Sequence, residues 1–182
     1  MIAQLNSHPD NTSVTRGALL HNYSATPHNQ IRIVETFAVD KASPVENRFC
    51  TEIVADALKI ASTGQRVLIV QLLKGGIRQG HDRVVNLAQN LDWIRCNLIR
   101  NISIADLNDL ELHNFQQLWK HVCSVARMSE YSLLILDDLS LSIELGLISI
   151  ESATNFLTTL PENLDVILAG TNPHPAILEL AA

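Results

Sequence analysis

Apolar residues along this chain fall into short continuous blocks separated by amphipathic stretches. The clearest block is Tyr131 to Leu139 (YSLLILDDL), where Leu133, Leu134, Ile135 and Leu136 run directly into Asp137 and Asp138. Four apolar residues in a row suit a strand buried on both faces, as in a parallel sheet covered by helices. Similar blocks are Ile31 to Phe37 (IRIVETF), Val67 to Leu73 (VLIVQLL), Leu91 to Cys96 (LDWIRC) and Leu164 to Ala169 (LDVILA). Helical spacing predicts a helix from about Pro44 to Ser62, with Val45, Phe49, Ile53, Ala57 and Ile60 on one face and Glu52, Asp56 and Lys59 outside. Gly64 then supplies the left-handed residue that helix ends favour. A polar loop is expected from Lys74 to about Asn90. A long helix follows from about Ala105 to Ser129, its stripe built of Leu107, Leu110, Phe115, Leu118, Val122 and Val125. A helical hairpin broken near Gly146 covers about Leu141 to Thr159, and a short helix runs from Pro175 to Ala181.

Strands alternating with helices predict a three-layer α/β sandwich around a mainly parallel sheet. Sheets of this kind place their ligand crevice at the C-terminal ends of the strands. Polar punctuation gathers there: Asp40 to Ser43, Lys74 to Gly76, Asp137 with Asp138, and Gly170 with Thr171. The two aspartates either face that crevice, where a carboxylate can hold Mg²⁺ beside phosphates, or merely cap the helix that starts at Leu139. Lys74-Gly75-Gly76 is either an anion site or a simple turn after a strand. Residues 1–29, rich in Asn, Ser, Thr, His and Pro, read as a flexible leader, and residues 30–182 as one domain.

Composition narrows the partners. Of the 182 residues 47% are hydrophobic, enough for a sizeable core in a single domain. A net charge of −6 argues against nucleic acid, which requires a basic face. No apolar run nears the roughly 18 residues of a membrane span, and residues 1–29 lack the basic-then-apolar layout of a signal peptide. The expected location is the cytoplasm, with a second copy of the chain or another protein as partner. Cys50, Cys96 and Cys123 are odd in number and widely spaced, which is neither a disulfide framework nor a zinc site.

RVLIVQLLKGG (Arg66 to Gly76), LLILDDL (Leu133 to Leu139), SIELGLISIESATNFLTTLP and VILAGTNPHPAILELA (Val166 to Ala181) together resemble the ATP:corrinoid adenosyltransferases. The resemblance spans roughly residues 31–182. It implies a P-loop NTPase fold of the RecA-like type and transfer of the 5′-deoxyadenosyl group of ATP to the cobalt of a reduced corrinoid. It also implies ATP-Mg and a corrinoid as ligands, if that activity survives. On this pattern Lys41 and Ser43 would contact phosphates and Asp137 the Mg²⁺. Trp93 would line the corrinoid pocket, where the family carries an aromatic-x-Trp and this chain reads Leu91-Asp92-Trp93.

Departures from the pattern are concentrated at charges. The family's first loop is a glycine-rich G-x-G-K-G-K-[ST], whereas residues 36–47 read TFAVDKASPVEN, without glycine. Cradling phosphate requires inward-turned backbone N–H groups, some at positive φ, with no Cβ in the way. Ser43-Pro44-Val45-Glu46 has instead the layout of a capping box with proline at the first helical position. Asp138 stands where the family has Glu, Thr171 where it has Arg, Leu160 where it has Arg, and Ala182 where it has Asp. Three functions follow: an active transferase; a protein of the same fold without a triphosphate grip, serving binding or regulation; or a site for a different anion at Lys74, Gly75 and Gly76. If Ser43 is an N-cap, Ser43→Ala lowers stability by ~1 kcal/mol with or without ATP-Mg, as read by melting. If it belongs to a working phosphate loop, the loss is seen mainly when ATP-Mg is present.

Overall fold

In a computed structural model of the chain, which describes residues 30–35, 51–77, 79–128 and 130–181, the block LLILD forms a strand buried at every position (β5, Leu133–Asp137). For numbering in chain order, the other strands are β1 (Ile31–Glu35), β2 (Val67–Gln71), β3 (Val85–Ala88), β4 (Leu91–Arg95) and β6 (Asp165–Gly170). They make one six-stranded sheet in the order β1-β6-β5-β2-β4-β3. All pairs are parallel except β3 with β4. With α1 (Thr51–Ser62), α2 (Asp109–Arg127), α3 (Leu139–Glu144), α4 (Ile150–Thr158) and α5 (Pro175–Leu180), this is the expected α/β architecture.

Strand alternation divides the core into two layers. Ile53, Ala57, Ile60 and Ala61 of α1 pack on Val67, Ile69, Leu91, Leu133, Ile135 and Ile167. On the other face Phe115, Leu118 and Val122 of α2, with Ala153, Phe156 and Leu157 of α4, cover Leu68, Val70, Ile94, Leu134, Leu136 and Val166. A strand such as β5, with alternate residues feeding both layers, has no solvated side, which explains its unbroken apolar run. Gly64 ends α1 at φ 92, as expected.

Several boundaries differ from the sequence reading. The supposed loop between Lys74 and Asn90 contains β3, which is exposed at Val85, Asn86 and Leu87 and shows no alternation to betray it. Asn90, at φ 64, turns the chain into β4, and the register shifts between Asn86 and Ala88. Helix α2 starts at Asp109 rather than near Ala105, because Asn108 and Glu111 form a reciprocal capping box. Its buried stripe is Glu111, Phe115, Leu118, Val122 and Ala126, and Leu110, in the first turn, is 68% exposed. Asp56, expected outside, is buried. It lies one turn after Ile53 at the margin of the buried stripe, and Lys59 Nζ meets its carboxylate at 3.0 Å. The leader and residues 36–50, with Lys41, Ser43 and the start of the expected first helix, lie outside the described residues.

After β2 the chain turns at Lys74-Gly75-Gly76 and is held by the segment that follows β4. Ile102 N–H donates to Leu73 O (2.9 Å) and Gly76 N–H to Leu98 O (2.9 Å), while Gly75 N–H donates to Asn101 Oδ1 (2.9 Å). A Cβ on Gly75 would run into the backbone of Arg100. Glycine is required there because two backbones touch. Gly75→Ala should therefore cost about 1–3 kcal/mol, the scale of overpacking a close contact, measured by denaturant unfolding.

Candidate functional site

At the C-terminal ends of three neighbouring strands the register aligns Arg95 of β4, Gln71 of β2 and Asp137 of β5. All three follow Trp93, Ile69 and Ile135 by two residues, so they share the α1 side of the sheet. All three are buried. Gln71 joins the row: its Nε2–H donates to Asp137 Oδ2 (3.1 Å), and its Oε1 accepts from Trp93 Nε1–H (3.1 Å). The Arg95 guanidinium lies over the Trp93 ring, 5.2 Å from its centroid. Gln79 reaches in from the next loop, donating to the Trp93 carbonyl (3.0 Å).

Asp137 is only 3% exposed. Burial, and then the neighbouring Asp138, push its carboxyl up to about 7; Lys74, the Gln71 hydrogen bond and Arg95 pull the other way. Asp138 takes the left-handed conformation (φ 64) at the start of α3, and its side chain caps nothing. Its main chain is fastened instead. Asp138 N–H donates to Ala169 O (2.8 Å), and its carbonyl accepts from Ser142 Oγ–H (2.8 Å). That frees the carboxylate to meet Lys74 Nζ at 3.1 Å, a contact that crosses from the end of β5 to the loop after β2.

The residues singled out from the sequence therefore divide. Lys74, Asp137, Asp138 and Trp93 cluster around the ends of β2, β4 and β5. Gly75 is part of the same loop, but its N–H is engaged by Asn101. Thr171 lies exposed just past β6 and lines, with Ser140, Pro173 and Ile177, a cavity of about 10 Å³, at the lower limit for one water. Leu160, where the resemblance expects Arg, is buried in the core. Gln71 and Arg95 were not singled out. Their signal was a polar residue interrupting an apolar strand near its end. Among the described residues no group of three His, Cys, Asp or Glu side chains could hold a metal. The His121 ring lies 5.8 Å from that of His81. Cys96 is buried and its thiol is pushed up to about 12 by that burial, leaving it unreactive.

Residues 51–182 match the family described as ATP:corrinoid adenosyltransferase BtuR/CobO/CobP. The chain belongs to that family. The matched residues include all of α1 and every strand except β1, and they begin after the glycine-free stretch 36–47. A comparison with curated proteins gives no match. No helix among the described residues is long and apolar enough to cross a membrane.

The raised carboxyl of Asp137 has a consequence for stability. In the unfolded chain it ionises near its usual 3.8, whereas in the fold it keeps its proton to about 7. Between those values the folded state binds more protons, so its contribution to stability falls as pH rises and levels off above about 7. Asp137→Asn should remove that slope. Above pH 7 the variant should melt at least ~2–4 °C higher than the wild type, the scale of ~1 kcal/mol in a domain of this size, as read by thermal unfolding across pH 4–8.

Proposed function

We propose that this member of the corrinoid adenosyltransferase family has lost its grip on triphosphate, and with it catalysis, and works as a binding or regulatory module. The observation that carries this reading is the closure of the crevice carboxylates on groups of the protein itself. Mg²⁺ takes oxygen ligands in near-octahedral array and is usually held by one or two free carboxylates together with waters and substrate phosphates. Asp137 is bonded to Gln71, and Asp138 is paired with Lys74. These residues do not fit a resident Mg²⁺. Lys74 is already paired with Asp138, and the N–H groups of Gly75 and Gly76 serve Asn101 and Leu98. The glycine-free stretch 36–47 and the apolar Leu160 point the same way.

Family membership itself favours the second reading, an active transferase that brings a reduced corrinoid against the C5′ of ATP. Melting curves with ATP-Mg and with ATP plus chelator separate the two, since a bound ligand stabilises the protein that binds it. They are accompanied by an assay for adenosyl transfer to reduced cobalamin. We expect no Mg²⁺-dependent rise in melting temperature and no transfer. A Mg²⁺-dependent rise that disappears in Asp137→Asn, or measurable turnover, would restore the transferase.

A further inference from the structure

Arg95 stands apart from the neighbouring arginines of the structure. Arg66, at the opposite end of the sheet, meets Asp92 and Glu130, each at 3.2 Å. Arg100 meets Asp106 at 2.9 Å and Glu111 at 3.1 Å. Arg95 is 9% exposed, yet among the described residues it makes no hydrogen bond or ion pair, and its Nε is buried without a partner. Asp137 lies two strands away in the aligned row, with Gln71 between them. It is close enough to be felt but is held by Gln71 instead.

Sequestering a guanidinium costs several kcal/mol unless an anion and hydrogen bonds offset the lost hydration. Trp93 stabilises one face of the ion, and Trp93 is itself fixed by Gln71. That leaves the in-plane N–H donors unused. A guanidinium edge matches a planar or tetrahedral oxyanion through two parallel hydrogen bonds. The surrounding geometry agrees: Lys74 is paired with Asp138, and Asp137 is bonded to Gln71.

We propose that Arg95, seated on Trp93 at the end of β4, is the receptor for an oxyanion group, phosphate or carboxylate, of a ligand bound without metal on the α1 side of the sheet. This deepens the reading of the protein as a binding module and rests on it. The site is built by a strand-end arginine rather than by a glycine-rich loop, so it does not depend on the glycines that the sequence of residues 36–47 lacks.

The test uses the full chain carrying Trp119→Phe. Trp119 packs on Phe156 on the opposite side of the sheet (5.1 Å between centroids), and its replacement leaves Trp93 as the sole indole. Inorganic phosphate and malonate are titrated separately at pH 6.5 with chelator, at ionic strength held constant with chloride. Saturable Trp93 fluorescence change is expected with at least one of them. A response to phosphate alone assigns a phosphoryl ligand, to malonate alone a carboxylate ligand, and to both a general oxyanion site. Arg95→Met should weaken the response at least ten-fold. Without anion its melting temperature should be no lower than that of the parent, because the uncompensated charge is gone. No saturable response to either probe, or an unchanged response in Arg95→Met, would overturn the proposal. If Arg95→Met does not fold, the Arg95 Nε–H resonance in the parent decides. A shift that saturates with the probe supports the site, and an unmoved resonance refutes it. Neither ATP nor Mg²⁺ is present, so this result is independent of the one that would restore the transferase.

Discussion

Burial of the central strands on both faces is the constraint from which the site follows. Along β2 and β5 every apolar side chain enters one of two apolar layers, and polar groups are tolerated only where the strands end. At the N-terminal ends they are paired among themselves. Tyr131 Oη–H donates to Asp92 Oδ2 (2.8 Å), Asn86 Nδ2–H to Asp92 Oδ1 (2.9 Å), and the Arg66 guanidinium covers the Tyr131 ring at 4.7 Å. Burial works to raise the Asp92 carboxyl, but those hydrogen bonds outweigh it and hold it below its usual range. Its charge is therefore welcome in the fold. At the C-terminal ends the balance differs: Asp137 is pushed toward neutrality, and Arg95 is left without a counter-ion among the described residues. Structure is satisfied at one end of the sheet, and unspent polarity is concentrated at the other.

The sequence revealed what depends on period and burial. The blocks at Leu133 and Val67 suit interior strands, and Asp137 at the end of one of them falls at the C-terminal end of the sheet. Features that depend on contacts between distant residues were hidden. The hairpin strand β3 is short and solvated on both faces, so its apolar residues have no pattern tied to a core. The start of α2 is set by a three-residue reciprocal cap rather than by the apolar stripe. The pairing of Lys74 with Asp138 joins positions on different loops, and only the parallel pairing of β2 with β5 brings them together. Arg95 was legible as an interruption of LDWIRC. Its lack of a partner was not, because Asp137, the nearest acid in the row, is two strands away.

Asp138 shows how a small change of side chain can redirect the crevice. The resemblance places a glutamate here. The left-handed backbone at this position, φ 64, is one that a short acidic side chain tolerates better than most, and three hydrogen bonds of its main chain fix it to β6 and α3. From that anchor the shorter carboxylate reaches Lys74 at 3.1 Å, and a cation that could have met phosphate becomes half of an internal pair. A partly buried pair of this kind has little net effect on stability, but separating it is costly because each ion would be left unmatched. A ligand that needed Lys74 would therefore have to supply its own negative charge and also leave Asp138 compensated. Arg95 asks for nothing of the sort. Its charge is already desolvated and oriented by Trp93, so an oxyanion that reaches it relieves an existing cost instead of breaking a contact. Between Lys74 and Arg95, the one the fold has left unmatched among the described residues is the better receptor.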